Sequence, residues 1–427
     1  MIYLTVFTEV PVSLLGCPAV TSFNTSPTLP VWRAVLALAV VFVMLATTGW
    51  TAVRHHGGPR DALEAELTGW RKERVGTRAL PSPDSPPQRI AAFFASIGSA
   101  RQHRLADRFP RIVGNLNGAP VSLRYRANRS SLGATLKMEG ERLRKASSRL
   151  TREGRHTAAR RLHRFRALMA RDRQILAFDP SGSGKVAEVF GDLDRAERVS
   201  VVVPGVDTNL LTFQKTARKY TAPVGMAQSL YAAEQAAAPR ARTAVIAWAD
   251  YTAPVGIGMD SAIGRLAESG AVRLTALTEA LPGDSEVALF CHSYGSVVCG
   301  VAARGLPPRV TDLAVAGSPG MRAENVAGLG TRARVWAMRD EDDWIEDVPH
   351  LAVGGLGHGE DPVAPDFGAR VLSAAGAVGH AGYFKPGTGS VENFAAIGVG
   401  SYGDVECAPG HRACRSGISG AKDVRRA

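Results

Sequence analysis

From Gln174 onward the chain repeats one pattern, a short apolar run without alternation followed by a helical stretch. "RVSVVVPG" (Arg198–Gly205) precedes "NLLTFQKTARKYTA", and "RTAVIAWADY" (Arg242–Tyr251) precedes a Gly/Pro loop and "SAIGRLAESGAVRLTALTEAL". "SEVALFCHS" precedes "YGSVVCGVAARGL", and "VTDLAVAGSPG" and "RVWAMRDEDD" follow. Strands without alternation are buried on both faces, and helices between them make a parallel sheet covered on both sides. Ahead of them, "QILAFDPSGSGKVAEVFGD" joins two apolar runs through Asp-Pro-Ser-Gly-Ser-Gly, which predicts an antiparallel hairpin. Its "GSGK" is not a phosphate loop: Asp179 stands where a Gly is needed, and Val186 follows Lys185 instead of Ser or Thr.

In such sheets functional groups gather at the carboxyl ends of strands. Ser293 is expected at one of them, within Cys291-His292-Ser293-Tyr294-Gly295. This matches G-x-S-x-G with Cys for the first Gly. A serine held on a sharp strand-to-helix turn needs small residues two before and two after it, and Cys291 and Gly295 are small. The turn exposes the hydroxyl and aims the N–H of Tyr294 at a developing oxyanion. A Ser that merely caps the following helix would read the same way locally.

A serine nucleophile needs a base, and the base an orienting acid. Asp340, Glu341, Asp342 and Asp343 follow an apolar run, and His350, His358 and His380 come later. His350 and His358 lie close behind the acids and leave little chain to close the geometry. His380, in "GAVGHAGYF", is preferred. His292 is read as packing locally. The second oxyanion donor is expected from the loop after "SVVVPG", as a backbone N–H of Val206 or Asp207. Trp248, Tyr251, Trp344, Tyr383 and Phe384 are read as candidates for an apolar acyl pocket, against ordinary core.

The hairpin leading into a doubly wound, mostly parallel sheet is the α/β-hydrolase plan. The chain also resembles an actinobacterial family of α/β hydrolases of unknown function, over roughly residues 85–400. The points of likeness are "FPRIVGNLNGAPVSLRYRANR", "RQILAFDPSGSGKVAEVFGD", "VVVPGVDTNL", "AWADYTAPVG", "CHSYGSVV", "GSPG", "LGHGEDPVAPDFGAR" and "GHAGYFKPGTGSVENFAAIG". The resemblance implies an α/β-hydrolase fold with an N-terminal helical segment, a nucleophile at Ser293, the acid at Asp343 with Asp342 as the alternative, and the base at His380. Cys291 departs from the more usual Gly-His-Ser opening. The family brings no settled substrate, and the triad chemistry is expected to need no metal or organic cofactor.

The 427 residues carry a net charge of +12. Much of the excess lies between Glu141 and Gln174, with twelve Lys/Arg against three Asp/Glu. Leu143, Ala146 and Leu150 share one helical face, and Ala158, Leu162, Phe165 and Met169 another. Two basic helices separated near Gly154 are expected. A solvated Arg-rich face is the plain reading, and contact with an anionic surface through Arg160, Arg161 and Arg164 the sharper one. No zinc-finger spacing or aromatic-glycine signature points to nucleic acid. Of the five cysteines, Cys291 and Cys299 flank the serine and read as buried, while Cys407 and Cys414 bracket a loop short enough for a disulfide. With only His411 added, a zinc site lacks ligands.

"VWRAVLALAVVFVMLATTGW" (Val31–Trp50) is the strongest hydropathy signal, near the length of a spanning helix with Trp at both ends. It is read as a transmembrane or signal-anchor helix giving a single-pass, membrane-anchored protein. Flanking charge favours a cytoplasmic C-terminal part and the cysteine pair an extracytoplasmic one, the balance leaning extracytoplasmic. The expected organisation is an N-terminal extension (1–30), the apolar helix (31–50), a linker (51–89), a basic helical segment and candidate cap (90–173), the α/β-hydrolase domain (174–405) and a tail (406–427). The expected function is a serine hydrolase, esterase- or lipase-like, cleaving an ester or other acyl bond of a small-molecule or lipid substrate. Amidase and acyltransferase chemistry use the same parts. The alternative is a non-catalytic α/β-hydrolase-like protein that binds a lipid or a partner at the cell envelope.

Overall fold

In the computed structural model the described residues are 59–145 and 151–418. Eight segments form one sheet: β1 (Gln174–Asp179), β2 (Lys185–Gly191), β3 (Arg198–Val203), β4 (Thr243–Ala249), β5 (Glu286–His292), β6 (Val310–Ala316), β7 (Arg334–Met338) and β8 (Arg370–Val371). Their spatial order is β1-β2-β4-β3-β5-β6-β7-β8. β2 runs antiparallel to β1 and β4, and the other neighbours are parallel. This is the strand order of an α/β-hydrolase fold, and the hairpin and the parallel run fall where the apolar pattern puts them. Val- and Ile-rich runs such as "RVSVVV" and "TAVIAWA" suit a pleated surface crowded on both sides.

The labelled helices are α1 (Pro59–Lys72), α2 (Pro87–Ala95), α3 (Ser99–Arg108), α4 (Val121–Lys145), α5 (Arg152–Leu168), α6 (Pro223–Ala237), α7 (Arg265–Ala280), α8 (Tyr294–Ala302) and α9 (Gly389–Val399). Alternate strand residues separate into two layers. Val199, Val201, Val203, Leu289 and Cys291 pack with Leu274 and Leu277 of α7 and Val297 of α8. Val202, Ala288 and Phe290 pack with Leu230 of α6 and Phe394 of α9. The sheet is therefore buried from both sides and holds its carboxyl-end loops on a rigid base.

A third cluster, with Trp70, Phe93, Phe94, Phe109 and Ile112, binds the N-terminal helices together. Within the stretch read as a linker, α1 forms and Trp70 is buried, its indole N–H donating to Pro81 O at 2.7 Å. The "GNLNG" turn stitches this helical unit to the sheet. Asn115 donates from Nδ2 to Phe178 O at 3.0 Å and accepts from Phe178 N at 2.9 Å, as a neighbouring strand would. Asn128 donates to Gly114 O and Ile175 O at 2.8 and 3.0 Å. The block read as a candidate cap thus meets edge strand β1, four strands from β5.

The basic helices break earlier than Gly154, which instead gives its N–H to the N-cap Thr151 at 3.0 Å. Arg161 on α5 is engaged within the molecule, with Glu139 and Pro180 O, and Arg173, just after that helix, with Glu188. The tail from residue 406 packs on β8, where Leu372 bridges Cys407 and Arg370 donates to Cys414 O. Cys407 and Cys414 form a disulfide, which removes them as zinc ligands.

The membrane expectation is corrected. Among the described residues no helix is long and apolar enough to cross a membrane. The segment Val31–Trp50 lies outside the described residues. The transmembrane helix of the expected fold class, the N-terminal membrane anchor and the single-pass localisation built on it are thus not supported by the described helices.

Candidate active site

β5 hands over to α8 through a single residue, Ser293, with φ 56° and ψ −129°. A positive φ is unfavourable for a residue with a Cβ and persists only where its surroundings over-determine it. Here they do. Ser293 N–H donates to Ala316 O at 3.0 Å, and Ser296 Oγ donates to Ser293 O at 2.5 Å. A Cβ on Gly295 would lie 2.2 Å from Val203 O, so only glycine lets α8 approach β3. A disulfide joins Cys291 on β5 to Cys299 on α8 across the turn. The sequence reading took Cys291 as a small stand-in for glycine; its covalent pairing with Cys299 was not read from the residues.

Ser293 Oγ lies 2.8 Å from His380 Nε2, and His380 Nδ1 lies 2.8 Å from Asp343 Oδ1. A carboxylate only accepts, so Nδ1–H donates to Asp343 and Nε2 is left to accept the serine hydroxyl. Asp343 follows β7 and His380 follows β8, so the carboxyl ends of β5, β7 and β8 bring together residues up to 87 positions apart. Burial pushes the Asp343 carboxyl up, but hydrogen bonds from His380, Tyr383 and Ile345 N outweigh it and hold the group below the ordinary carboxylate range. Tyr383 Oη donates to Asp343 Oδ2 at 2.5 Å and accepts from Asp340 N at 3.0 Å. Gly317, at φ 53°, has no room for a side chain: a Cβ would lie 2.7 Å from Asp343 Oδ2 and 3.1 Å from His380 Nδ1.

His292 packs beside the base, with ring centroids 4.9 Å apart. Its Nε2 donates to His380 O at 2.6 Å and tethers the loop. Burial, then the nearby His380 charge, pushes its pKa down to about 3, so it stays neutral. Asp340 accepts from Gly379 N at 2.7 Å and tethers the same loop from the other side. Neither contact had a signal in the sequence beyond proximity to the motif.

Of the oxyanion candidates, Tyr294 opens α8, where a first-turn N–H has no intrahelical acceptor. Asp207 N–H is committed to Pro254 O at 2.8 Å. No acceptor among the described residues takes the N–H of Val206. The loop carrying it is tight against the serine, since a Cβ on Gly205 would lie 2.5 Å from Ser293 Cβ. Tyr251 Oη donates to Pro204 O at 2.5 Å and fixes this loop.

The remaining candidates fall elsewhere. Asp342 is exposed and makes no contact with His380. His350 sits 3.8 Å from Asp361, and His358 Nε2 donates to Ser261 O at 2.6 Å. Trp248, Tyr251, Tyr383 and Phe384 are buried core. Trp344 alone of that set stands exposed, its ring centroid 4.6 Å from that of His380.

Residues 179–353 match a family model described as alpha/beta hydrolase. An uncharacterized protein of Mycobacterium tuberculosis is 26% identical over 391 residues, covering 78% of this chain and 58% of that protein. An uncharacterized protein of Mycobacterium bovis is 32% identical over 146 residues, covering 33% of this chain and 54% of the other. The chain thus spans little more than half the length of these relatives. Among solved structures, a Xanthomonas campestris α/β serine hydrolase without lid is 15% identical with a TM-score of 0.25, covering 41% of this chain and 74% of its own. A thermostable carboxyl esterase from Bacillus coagulans is 14% identical with a TM-score of 0.21, covering 35% and 44%. Strand order and the matched segment, and not these distant likenesses, establish that the protein is built on the α/β-hydrolase fold and is similar to uncharacterized mycobacterial proteins.

Proposed function

We propose that the protein is a serine hydrolase acting on an ester or other acyl bond through a covalent acyl-enzyme. The observation that carries this reading is the continuous chain of contacts from Ser293 Oγ through both nitrogens of His380 to Asp343, each 2.8 Å. Ser293 Oγ attacks the acyl carbon while His380 Nε2 takes the hydroxyl proton. Asp343 orients the imidazole and offsets the charge it gains. The carbonyl oxygen, now anionic, accepts from Tyr294 N–H and Val206 N–H. Collapse of the tetrahedral species breaks the bond to the leaving group, which takes the proton from Nε2. Water, deprotonated by the same nitrogen, then attacks the acyl-serine and releases the acid. Removing one oxyanion donor typically costs about 10²–10³ in rate.

A fluorophosphonate probe tests the reading. The full chain is expected to be labelled and Ser293→Ala to remain unlabelled. Equal labelling of both would place the reactive nucleophile elsewhere, and labelling of neither would leave a non-catalytic binding protein on this fold.

A further inference from the structure

The carboxyl-end loops hold most of the large apolar side chains that face water among the described residues. Eight large hydrophobic side chains stand exposed among the described residues, and seven of them lie on the carboxyl-end loops that carry the site; Val272, on α7, is the exception. Scattered exposed apolar residues need no explanation, but a contiguous patch does. Val255, Ile257 and Met259 alternate with glycines and are 83%, 75% and 67% exposed. Their loop is pinned to the oxyanion loop, because Asp207 donates to Pro254 O and its carboxylate accepts from Gly256 N at 2.8 Å. On the other flank, Trp344 lies against His380 and Val378 is two residues before it. Leu356 belongs to the Ala352–Gly357 hairpin and Leu351 immediately precedes it; the hairpin meets the first loop through the Ile263–Leu356 bridge.

Charge narrows the occupant. In 250–263 and 339–359 the acidic residues that are not buried are Asp260, Asp340, Glu341, Asp342, Glu346 and Asp347, and the one Arg, Arg339, is paired with Asp361. Such a rim repels an anionic surface and accepts a neutral one. We infer that this rim docks the chain on the surface of its own substrate in aggregated form, an uncharged acyl ester above its solubility limit. The inference rests on the serine-hydrolase reading and names its substrate class.

The test measures tributyrin hydrolysis by the full chain across the solubility limit of the ester. The rate is expected to rise about fivefold or more above the curve extrapolated from dissolved ester. The Val255→Ser/Ile257→Ser/Met259→Ser variant is expected to lose that rise while hydrolysing dissolved tributyrin within about twofold of wild type, which also shows that it folds. Leu351→Ser/Leu356→Ser supplies a second variant on the opposite flank, with the same expectation. A single saturation curve through the limit, or a gain with acyl length confined to dissolved esters, overturns the docking surface and leaves the hydrolase reading intact. Absence of any hydrolysis together with absence of probe labelling sinks the hydrolase reading instead. Flotation with triolein droplets gives a readout without turnover: adding the three serine substitutions to Ser293→Ala is expected to lower the floated fraction several-fold, and equal flotation overturns the inference.

Discussion

Asp343 and Asp342 are neighbours with opposite surroundings. Asp343 is buried and receives three hydrogen bonds, whereas Asp342 is exposed to water. Asp343→Asn removes the acceptor that selects the His380 tautomer and is expected to lower kcat by about 10³–10⁴. Asp342→Asn is expected to leave kcat within about twofold, since a solvated surface carboxylate is worth little. Steady-state turnover of a soluble ester by the two variants checks both, and the reverse ranking would move the acid to 342. By local pattern the four consecutive acidic residues were equivalent, the family resemblance favoured Asp343 with Asp342 as the alternative, and burial is what distinguishes the two in the structure. Ser293 was legible because its motif is local. Tyr383 and Gly317 were not, because what they touch is decided by strand order and not by neighbours in the chain.

At the scale of elements, the turn between β5 and α8 is held by a covalent link. Removing it with Cys291→Ala/Cys299→Ala frees a short loop in the unfolded chain and is expected to cost about 2–3 kcal/mol, read as a lower urea midpoint. Helix α6 carries a second constraint. Glu234 is fully buried, with one oxygen bonded to Ser200 and the other without a partner among the described residues. Burial pushes its pKa up to about 8, against the opposing bond from Ser200 and the Arg198 charge. Between about pH 4.5 and 8 the folded chain keeps a proton that the unfolded chain releases. Stability from this group is therefore complete below the unfolded value and lost as pH rises toward 8, by at most about 1.4 kcal/mol per unit. Glu234→Gln has no such slope, so urea midpoints of variant and wild type are expected to diverge from pH 5 to pH 8 in favour of the variant. A constant difference would refute the burial argument. The strands themselves were legible as runs of β-branched residues, while a polar group inside an alanine-rich helix gave no sign of its partner.

For the whole molecule, the helical unit and the sheet are joined through side-chain amides at an edge. Asn115→Ala leaves the N–H and C=O of Phe178 without their partners and is expected to cost about 1–3 kcal/mol, with faster hydrogen exchange at the Phe178 amide as the local check. The doubly wound architecture could be read from the repeating runs, but the docking of residues 109–129 could not, because an Asn that imitates a strand looks like any turn Asn. The same amides have a protective consequence. An unpaired strand edge invites another chain to add itself, and edge-to-edge growth is the commonest route by which a sheet becomes a fibril. At this border the Asn115 amide takes up the Phe178 N–H and C=O that an incoming strand would otherwise claim, so the "GNLNG" turn acts as a guard against self-association as well as a joint.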